Sequence, residues 1–348
     1  AAIASHPGAI LLEGGTREPT LGRWSFLACD PFLTYRSKGP HIEILTSAGT
    51  ETREGDPFLI LGDILAEHRV VRPPGAPPLL AGALGYFAYD LGRFVESIPE
   101  TAVDDVPIAD CHLGFYGAVL AIDHVENRAF ICSIGAPEVD PAAARGLAEK
   151  RCDQLADALA QARPDPPLSI PPGTADPLRI RSNFTHDEYI VALRRVKEYI
   201  AAGDIYQANL TQRLTAPLAT TPWDLHRRLT KTNPAPFAAF FETPDCAVIS
   251  CSPERFLQVR SGEVETRPIK GTRPRGATAE EDERLAKELL ASAKDRAENV
   301  MIVDLERNDL GRVCEFGSVH VPELFALESY ATVHHLVSTV RGRLRPDT

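Results

Sequence analysis

Strand-forming segments follow one another in groups along this sequence, and helix-forming segments separate the groups. The first group lies within residues 9–45, and a helix is predicted over 57–68, where apolar residues give a broad buried face. A second helix is predicted over 141–161, which is rich in alanine. Strands that follow one another directly pair antiparallel, whereas strict alternation of strand and helix gives a parallel sheet. The order of segments therefore predicts an α+β fold.

A proline-dense segment over 163–177 divides the chain. Such composition is typical of a linker, because proline fixes the backbone and removes a hydrogen-bond donor. We therefore predict an N-terminal domain over 1–165 and a second domain over 178–348. The second domain opens with Thr185-His186-Asp187-Glu188, a capping-box pattern for a helix that ends at Gly203.

Composition excludes several classes of function. The chain of 348 residues has a formal net charge of -11, which argues against non-specific binding to nucleic acid or to an anionic membrane. No apolar run has the length of a membrane span, and no basic stretch followed by an apolar core marks a signal peptide. The 7 cysteines are scattered without a Cys-x-x-Cys pair, which predicts reduced thiols in a cytoplasmic protein.

The segment 267–274, Arg-Pro-Ile-Lys-Gly-Thr-Arg-Pro, is the first candidate for chemistry. It lies between an alternating strand pattern and a helix predicted over 279–293. We expect Lys270 at the end of a strand where the backbone turns sharply, so that its side chain projects into a cleft. A lysine in a partly desolvated cleft can act as a nucleophile. The alternative is a surface lysine beside a turn, which this segment alone would favour.

Three further ionisable features are candidates for chemistry, and each has an alternative interpretation. Glu254 comes after a buried strand pattern and can serve as a general acid or base, or can pair with Arg255. Glu298 lies on a predicted helix and can occupy one position of a Mg2+ ion, although an ion pair with Lys294 is the better interpretation on spacing alone. The adjacent pair His334 and His335 lies in a strand pattern, so only one of the two can enter a shared site.

Four motifs resemble those of the chorismate-utilising enzymes and occur in the same order. That family includes anthranilate synthase component I, aminodeoxychorismate synthase component I, isochorismate synthase and salicylate synthase. The N-terminal half resembles the family through Gly22-Arg23-Trp24-Ser25-Phe26 and Gly85-Tyr86-Phe87-Ala88-Tyr89-Asp90. The resemblance implies a two-sheet sandwich with helices on the outside. The four motifs are Cys-Ser-Pro-Glu-Arg-Phe at 251–256, Pro-Ile-Lys-Gly-Thr-Arg-Pro at 268–274, the helix segment 294–309, and Val-His-His-Leu-Val-Ser at 333–338.

Within this family, Pro-Ile-Lys-Gly-Thr resembles the motif of the aminodeoxychorismate synthases. The corresponding motif of the anthranilate synthases resembles Pro-Ile-Ala-Gly-Thr. The implied reaction is an amino-group transfer that gives 4-amino-4-deoxychorismate for folate and 4-aminobenzoate synthesis. Lys270 would attack C2 of chorismate with loss of the C4 hydroxyl, and ammonia would then add at C4 as the lysine leaves. Glu254 matches the general acid or base that helps the hydroxyl to depart.

The remaining site residues also come from the resemblance. Glu298 matches a Mg2+ ligand, and Gly271 and Thr272 match contacts to the substrate carboxylate region. His335 matches a histidine near the ring. Gln207 stands where hydrating relatives have a lysine that activates water, which favours amination over hydration.

Two departures from the family pattern concern the chain's end and a second pocket. The family continues past the point corresponding to residue 348 with further substrate-binding and metal-binding segments, so we expect either a fragment or a truncated protein. A tryptophan pocket is expected near its N-terminal motif, although Gly14 replaces a serine of the family pattern and Asn-Pro-Ala-Pro-Phe at 233–237 departs from Asn-Pro-Ser-Pro-Tyr. The expected pocket residues are Gly14, Arg23, Trp24, Pro236, Phe237 and Ala238.

The sequence carries no glutaminase motif with a nucleophilic cysteine, so a separate glutamine amidotransferase is the implied source of ammonia. Two alternatives to the aminodeoxychorismate synthase function stay open. One is anthranilate synthase component I, which Lys270 argues against. The other is a non-catalytic remnant that binds chorismate or only a partner subunit.

Overall fold

A computed structural model describes residues 6–15, 21–168 and 179–346. The chain divides into two compact units, one formed by residues 1–165 together with 226–348 and the other by residues 166–225. Most of the predicted linker lies in 169–178, outside the described residues, and the predicted division into domains 1–165 and 178–348 stays a prediction.

The first unit is built around two antiparallel sheets. The strands of the first sheet, in spatial order, are β13 (Ala247–Ser252), β12 (Phe237–Glu242), β1 (Ile10–Glu13), β2 (Trp24–Ala28), β8 (Ala118–Asp123) and β9 (Arg128–Ser133). The strands of the second are β5 (Gly49–Glu54), β4 (His41–Thr46), β3 (Leu33–Lys38), β7 (Cys111–Tyr116) and β6 (Gly82–Phe87).

These two sheets pack face to face and carry helices on their outer faces. Ile10 and Phe241 of the first sheet share a buried cluster with Leu84 and Tyr116 of the second. Helix α1 (Pro57–Glu67) and a 3-10 helix (Tyr89–Phe94) cover the second sheet, and α2 (Pro141–Ala160) covers the first. Burial of these apolar faces stabilises the layers at roughly 25 cal/mol per Å² of apolar surface. The predicted α+β sandwich with outer helices is confirmed.

A third sheet carries the segment that contains Lys270. Its strands run in the order β14 (Gln258–Arg260), β15 (Glu263–Thr266), β18 (Val333–Arg343) and β16 (Ile269–Pro274), and β17 (His320–Ser329) also pairs with β18. Helices α5 (Ala279–Ala291) and α6 (Ala293–Gly311) pack on it. Val264 and Val340 of the sheet share a core with Val303 and Leu310 of α6.

The second unit contains α3 (His186–Ala202) and a short pair of strands, β10 (Arg181–Ser182) and β11 (Leu214–Thr215). The predicted capping box is present, because Thr185 and Glu188 satisfy each other's backbone N–H groups. Gly203 ends α3 with a φ of 83°, as a left-handed cap requires. Helix α4 (Pro222–Thr232) follows.

Two expectations from composition concern the whole chain. All seven cysteines lie in the described ranges and are free. Among the described residues, no helix is both long and apolar enough to cross a membrane.

Candidate active site

Lys270 lies inside β16 at a β-bulge, not at a strand end beside a turn as the sequence suggested. Ile269 pairs with Val337 and Thr272 pairs with His335, so three steps along β16 oppose two steps along β18. The extra residue bends the strand and changes the direction of the side chains beside it. The expected sharp change of direction is real, but its cause is an extra residue in the ladder.

Gly271 makes this bulge compatible with close packing of α5 and α6. Its φ is 91°, in the left-handed region that side chains disfavour. A Cβ atom there would lie 2.8 Å from Cβ of Asp295 and 3.0 Å from Cδ1 of Leu289. Glycine is therefore required both by the backbone conformation and by the approach of the helices. The half-buried Lys270 takes its position from this local geometry.

Glu254 reaches the same strand from the loop between β13 and β14. Its Oε1 accepts a hydrogen bond from the backbone N–H of Ile269 at 3.0 Å. The alternative pairing with Arg255 is not formed, since the Arg255 guanidinium pairs with Glu265. The carboxylate is consequently held beside the residue that precedes Lys270.

His335 joins the site through Thr272. The Oγ1 atom of Thr272 lies 2.9 Å from Nδ1 of His335, across the β16–β18 ladder. Burial lowers the pKa of His335, against the charges of Glu254 and Glu328 and a hydrogen bond with the Gly271 backbone, which raise it. The neutral imidazole is therefore favoured at neutral pH.

The neighbouring His334 lies in a different network on the other face of β18. Its Nε2 is 2.9 Å from Oδ1 of Asp282, and its Nδ1 is 2.8 Å from Oγ of Ser329. Asp282 also pairs with Arg275 at 2.7 Å. This network joins α5 to the third sheet and leaves only His335 beside Thr272.

Glu298 lies half-buried on α6 next to Asn299. Asn299 anchors the helix, because its Nδ2 donates to the Leu336 carbonyl at 3.3 Å and its Oδ1 accepts from Ser338 Oγ at 2.6 Å. Across the described ranges, the Glu298 side chain forms neither a hydrogen bond nor an ion pair, so the pair with Lys294 is not observed. It is also not linked by such a contact to Lys270 or Thr272.

A carboxylate without a protein partner fits one coordination position of Mg2+, which keeps several waters and takes its other ligands from substrate oxygens. The group of three potential metal ligands found in the described part of the chain, His6, Cys29 and Asp30, does not include Glu298. The assignment of Glu298 as a Mg2+ ligand stays a prediction.

Sequence reasoning missed Glu306, a second carboxyl group on α6. Its Oε2 is buried without a hydrogen-bond partner in the described residues. Burial raises the pKa of Glu306 to about 7. The signal was its helical spacing, because it falls on the stripe formed by the buried residues Asn299, Val303 and Leu310.

The expected tryptophan-pocket residues line a single cavity of about 640 Å³ in the first unit. The six of them are Gly14, Arg23, Trp24, Pro236, Phe237 and Ala238. A Cβ atom on Gly14 would lie 2.3 Å from the Gly22 carbonyl oxygen, so the family's serine would not fit this backbone.

Charge and aromatic surface meet at one wall of this cavity. Arg23 donates two hydrogen bonds to Asp123, at 2.9 Å from Nε and 2.6 Å from Nη2. This pairing lowers the pKa of Asp123 to about 2. The Trp24 ring stacks on Phe26 with centroids 6.2 Å apart and planes at 8°, and the Arg23 guanidinium lies 5.5 Å from the Trp24 ring. The cavity is thus suited to a small ligand with both apolar and polar groups.

Comparison with known proteins defines the class. A family model described as chorismate binding enzyme matches residues 24–348. Aminodeoxychorismate synthase component 1 of Klebsiella aerogenes is 39% identical over 344 residues, which is 98% of this chain and 72% of that protein. Anthranilate synthase component 1 of Cereibacter sphaeroides is 36% identical over 346 residues, covering 96% of this chain and 68% of that protein. The chain belongs to the chorismate binding enzyme family.

A solved structure agrees with this assignment. Anthranilate synthase component I from Streptococcus pneumoniae TIGR4 superposes with a TM-score of 0.79 and 28% identity, over 95% of this chain and 71% of that one. Relatives named as aminodeoxychorismate synthase and as anthranilate synthase belong to this one family. Individual residues of the site are therefore needed to choose between the two activities.

Proposed function

We propose that this protein converts chorismate and ammonia into 4-amino-4-deoxychorismate, as an aminodeoxychorismate synthase component 1. The observation that carries the proposal is the placement of Lys270. A half-buried amine stands at a bulge between the Glu254–Ile269 hydrogen bond and the Thr272–His335 pair. An amine in this setting is a nucleophile with an acid group beside it.

The proposed chemistry has two displacements. The neutral Lys270 amine attacks C2, the two ring double bonds shift toward C4, and the C4–O bond breaks. Glu254 in its acid form gives the departing hydroxyl its proton, so that water leaves. Ammonia then attacks C4, the double bonds return, and the C2–N bond breaks to release Lys270. The incoming nitrogen loses a proton, which restores the acid form of Glu254.

Other groups would bind and orient the substrate. The Thr272–His335 pair would hold the substrate beside Lys270, and the Gly271 backbone would approach the substrate carboxylate closely because it carries no side chain. Glu298 would hold Mg2+, which supplies positive charge to that carboxylate. A separate glutamine amidotransferase would supply ammonia, in keeping with the designation of the similar proteins as a first component.

The cavity at Gly14 and Trp24 is the proposed tryptophan site. Its aromatic wall and the Arg23–Asp123 pair offer apolar contact for an indole and polar partners for the amino acid group.

The test of the main function incubates the full-length protein with chorismate, Mg2+ and ammonium, and identifies the product by chromatography and mass spectrometry. We expect 4-amino-4-deoxychorismate from the wild type and none from Lys270→Ala. When ammonium is withheld, a covalent adduct is expected on the Lys270 peptide. Lys287→Ala is the matched control, because Lys287 is an exposed lysine that pairs with Glu283 on α5.

Anthranilate synthesis is the second candidate, because the similar structure and one of the similar sequences carry that name. Anthranilate as the product of the wild type would establish it in place of amination at C4. Wild-type turnover by Lys270→Ala would remove the nucleophile from the mechanism. The absence of both product and adduct from the full-length protein would leave the non-catalytic alternative.

A further inference from the structure

Three potential metal ligands, His6, Cys29 and Asp30, come together at one end of the β1–β2 pair. Their donor atoms are an imidazole nitrogen, a thiol sulfur and a carboxylate oxygen, and all three lie within 4.8 Å of one another. Nδ1 of His6 is 3.0 Å from Oδ2 of Asp30. The cluster follows Ala28, the last residue of β2, whereas the proposed tryptophan cavity lies beside Trp24, the first. It is therefore separate from that cavity.

Backbone contacts hold together the two chain segments that carry the cluster. The N–H of Asp30 donates to the carbonyl oxygen of Pro7 at 3.0 Å. Oη of Tyr116 donates to the carbonyl oxygen of Gly8 at 2.6 Å. Asp30 has a φ of 52°, in the left-handed region, so the chain turns immediately after Cys29. The three donors are consequently presented by a frame that does not depend on an ion.

The separations of the donor atoms suit a tetrahedral ion. Zn2+ binds thiolate sulfur at about 2.3 Å and imidazole nitrogen or carboxylate oxygen at about 2.0–2.2 Å, which places its ligand atoms roughly 3.3–3.6 Å apart. Small side-chain rotations reach these separations, because the side chains of His6 and Asp30 are 42% and 57% exposed. The open side of the cluster leaves a fourth position for water.

The donor set selects the class of metal. Thiolate and imidazole ligands favour Zn2+ and similar transition-metal ions, whereas Mg2+ takes oxygen ligands. The ion is therefore of a different class from the Mg2+ proposed at Glu298. Burial raises the pKa of the Cys29 thiol to about 12, so the thiol keeps its proton until an ion displaces it. The resulting thiolate and the Asp30 carboxylate together balance the charge of a divalent cation.

We infer that His6, Cys29 and Asp30 form a binding site for a divalent transition-metal ion, with Zn2+ as the best match. On binding, the ion exchanges three of its waters for the protein donors, the metal–sulfur bond forms, and the Cys29 proton passes to solvent. No electron is transferred. The bound ion fastens the segment before β1 to the turn after β2. None of its ligands belongs to the groups assigned to chorismate, so turnover is not its readout.

Absorption spectroscopy of the untagged full-length protein provides the first test, after dialysis against a chelator. Equimolar Co2+ should give a near-ultraviolet charge-transfer band from thiolate to cobalt, and Zn2+ should remove the band by taking the same site. The band should be lost in Cys29→Ser. Cys246→Ser is the matched control, because that thiol is also half-buried but lies outside the cluster, 3.5 Å from Oγ1 of Thr243. No band in the wild type, or an equal band in Cys29→Ser, would overturn the site.

Competition with a chromogenic chelator measures the affinity for Zn2+. His6→Ala and Asp30→Asn should each weaken binding by at least about 10- to 100-fold, since even changes to the groups around metal ligands have effects of that size. Asparagine tolerates the left-handed backbone, so Asp30→Asn keeps the turn. His41→Ala is the control, because His41 also pairs with a carboxylate, that of Glu54 at 3.0 Å, but lies outside the cluster. Equal affinities in His6→Ala and His41→Ala would contradict the assignment.

Thermal unfolding tests whether the ion belongs to the folded state. Saturating Zn2+ should raise the Tm of the wild type and leave the Tm of His6→Ala and Cys29→Ser unchanged. Without metal, the Tm of His6→Ala should equal that of the wild type, because the substituted side chain is largely exposed. A wild-type Tm that Zn2+ does not raise would mean that the unfolded chain binds the ion equally well, and would overturn the structural role.

Discussion

The backbone N–H of Ile269 donates a hydrogen bond to Oε1 of Glu254 at 3.0 Å, which joins the loop after β13 to the first residue of β16. The acid group and Lys270 are therefore positioned by one strand. A motif separated by fifteen residues in sequence becomes a single local arrangement, and the acid cannot move far without disturbing the strand that presents the amine.

This contact predicts a difference between two substitutions of Glu254. Glu254→Gln keeps an oxygen for the Ile269 N–H but cannot donate an acid proton, so kcat should fall about 10²- to 10⁴-fold with little change in Tm. Glu254→Ala loses both the oxygen that accepts from the Ile269 N–H and the acid proton, and should also weaken chorismate binding. Turnover and thermal unfolding measure the two effects, and near-wild-type turnover by Glu254→Gln would remove this residue from the chemistry.

Gly271 and Gly262 form a matched pair for the bulge. Both have a positive φ, but a Cβ at Gly262 would meet nothing within 4 Å. Gly262→Ala should cost about 1–2 kcal/mol of unfolding free energy from backbone strain alone. Gly271→Ala should cost a further ~1–3 kcal/mol from overpacking against Asp295 and Leu289, and should lower turnover. Urea unfolding gives the comparison, and equal losses would mean that the helices do not constrain the bulge.

Glu298 should control the response to metal. Glu298→Gln should raise the Mg2+ concentration needed for half-maximal activity by about 10- to 100-fold, the range typical of altered metal sites. Lys294→Ala is the control, since Lys294 lies one turn away on α6 and forms no pair with Glu298. Mg2+ titration of the full-length enzyme measures both, and a shift equal to that of the control would contradict the assignment.

The tryptophan proposal depends on the aromatic and apolar walls of the cavity. Phe237→Ala should weaken tryptophan binding about 10-fold, because removing an apolar wall typically costs ~1–3 kcal/mol of binding energy. Phe256→Ala is the control, since that ring is 84% exposed and does not line the cavity. Calorimetric titration with tryptophan gives the affinities. No heat of binding to the wild type would refute the site.

Glu306 also predicts how stability depends on pH. The pKa of its carboxyl group is about 7 in the folded protein against an ordinary value of 4.5, so the folded state binds the proton more tightly. The stability that this provides is complete below the ordinary value and is lost as the pH rises through about 7. Glu306→Gln should therefore gain stability relative to wild type between pH 5 and pH 8, by about 1–2 kcal/mol once screening by solvent is allowed for. A difference that does not change with pH would contradict the shift, as would the same difference in Asp304→Asn, which replaces an exposed carboxylate that pairs with Arg307.

The elements that depend on local signals were predictable from sequence. The helix at 57–68 and the capping box at Thr185 follow from nearby spacing, and the structure has α1 over Pro57–Glu67 and α3 over His186–Ala202. The bounds of β11 (Leu214–Thr215) and β17 (His320–Ser329) depend instead on their partner strands. Tertiary pairing decides such segments, and local propensity does not report it.

The candidate site also has features that local sequence predicts and features that depend on tertiary pairing. Motif residues predict Lys270, Glu254 and His335 as residues of the site, but the bulge at Gly271 depends on pairing with β18, more than sixty residues further along. Glu306 was missed because Asp304, Arg307 and Asp309 surround it in sequence and suggest a solvated helix end. Its spacing from Asn299 and Val303 places it on the same stripe of the helix. Only the packing of the helix against the sheet shows that this stripe is buried.

The pairing of β1 with both β2 and β12 has a consequence for synthesis on the ribosome. β12 begins at Phe237, so one edge of β1 has no partner until more than two hundred further residues have been translated. At 5–20 residues per second this interval is on the order of 10–45 s. An unpaired edge beside apolar surface is prone to wrong pairing, so nascent chains should depend on chaperone protection during that interval.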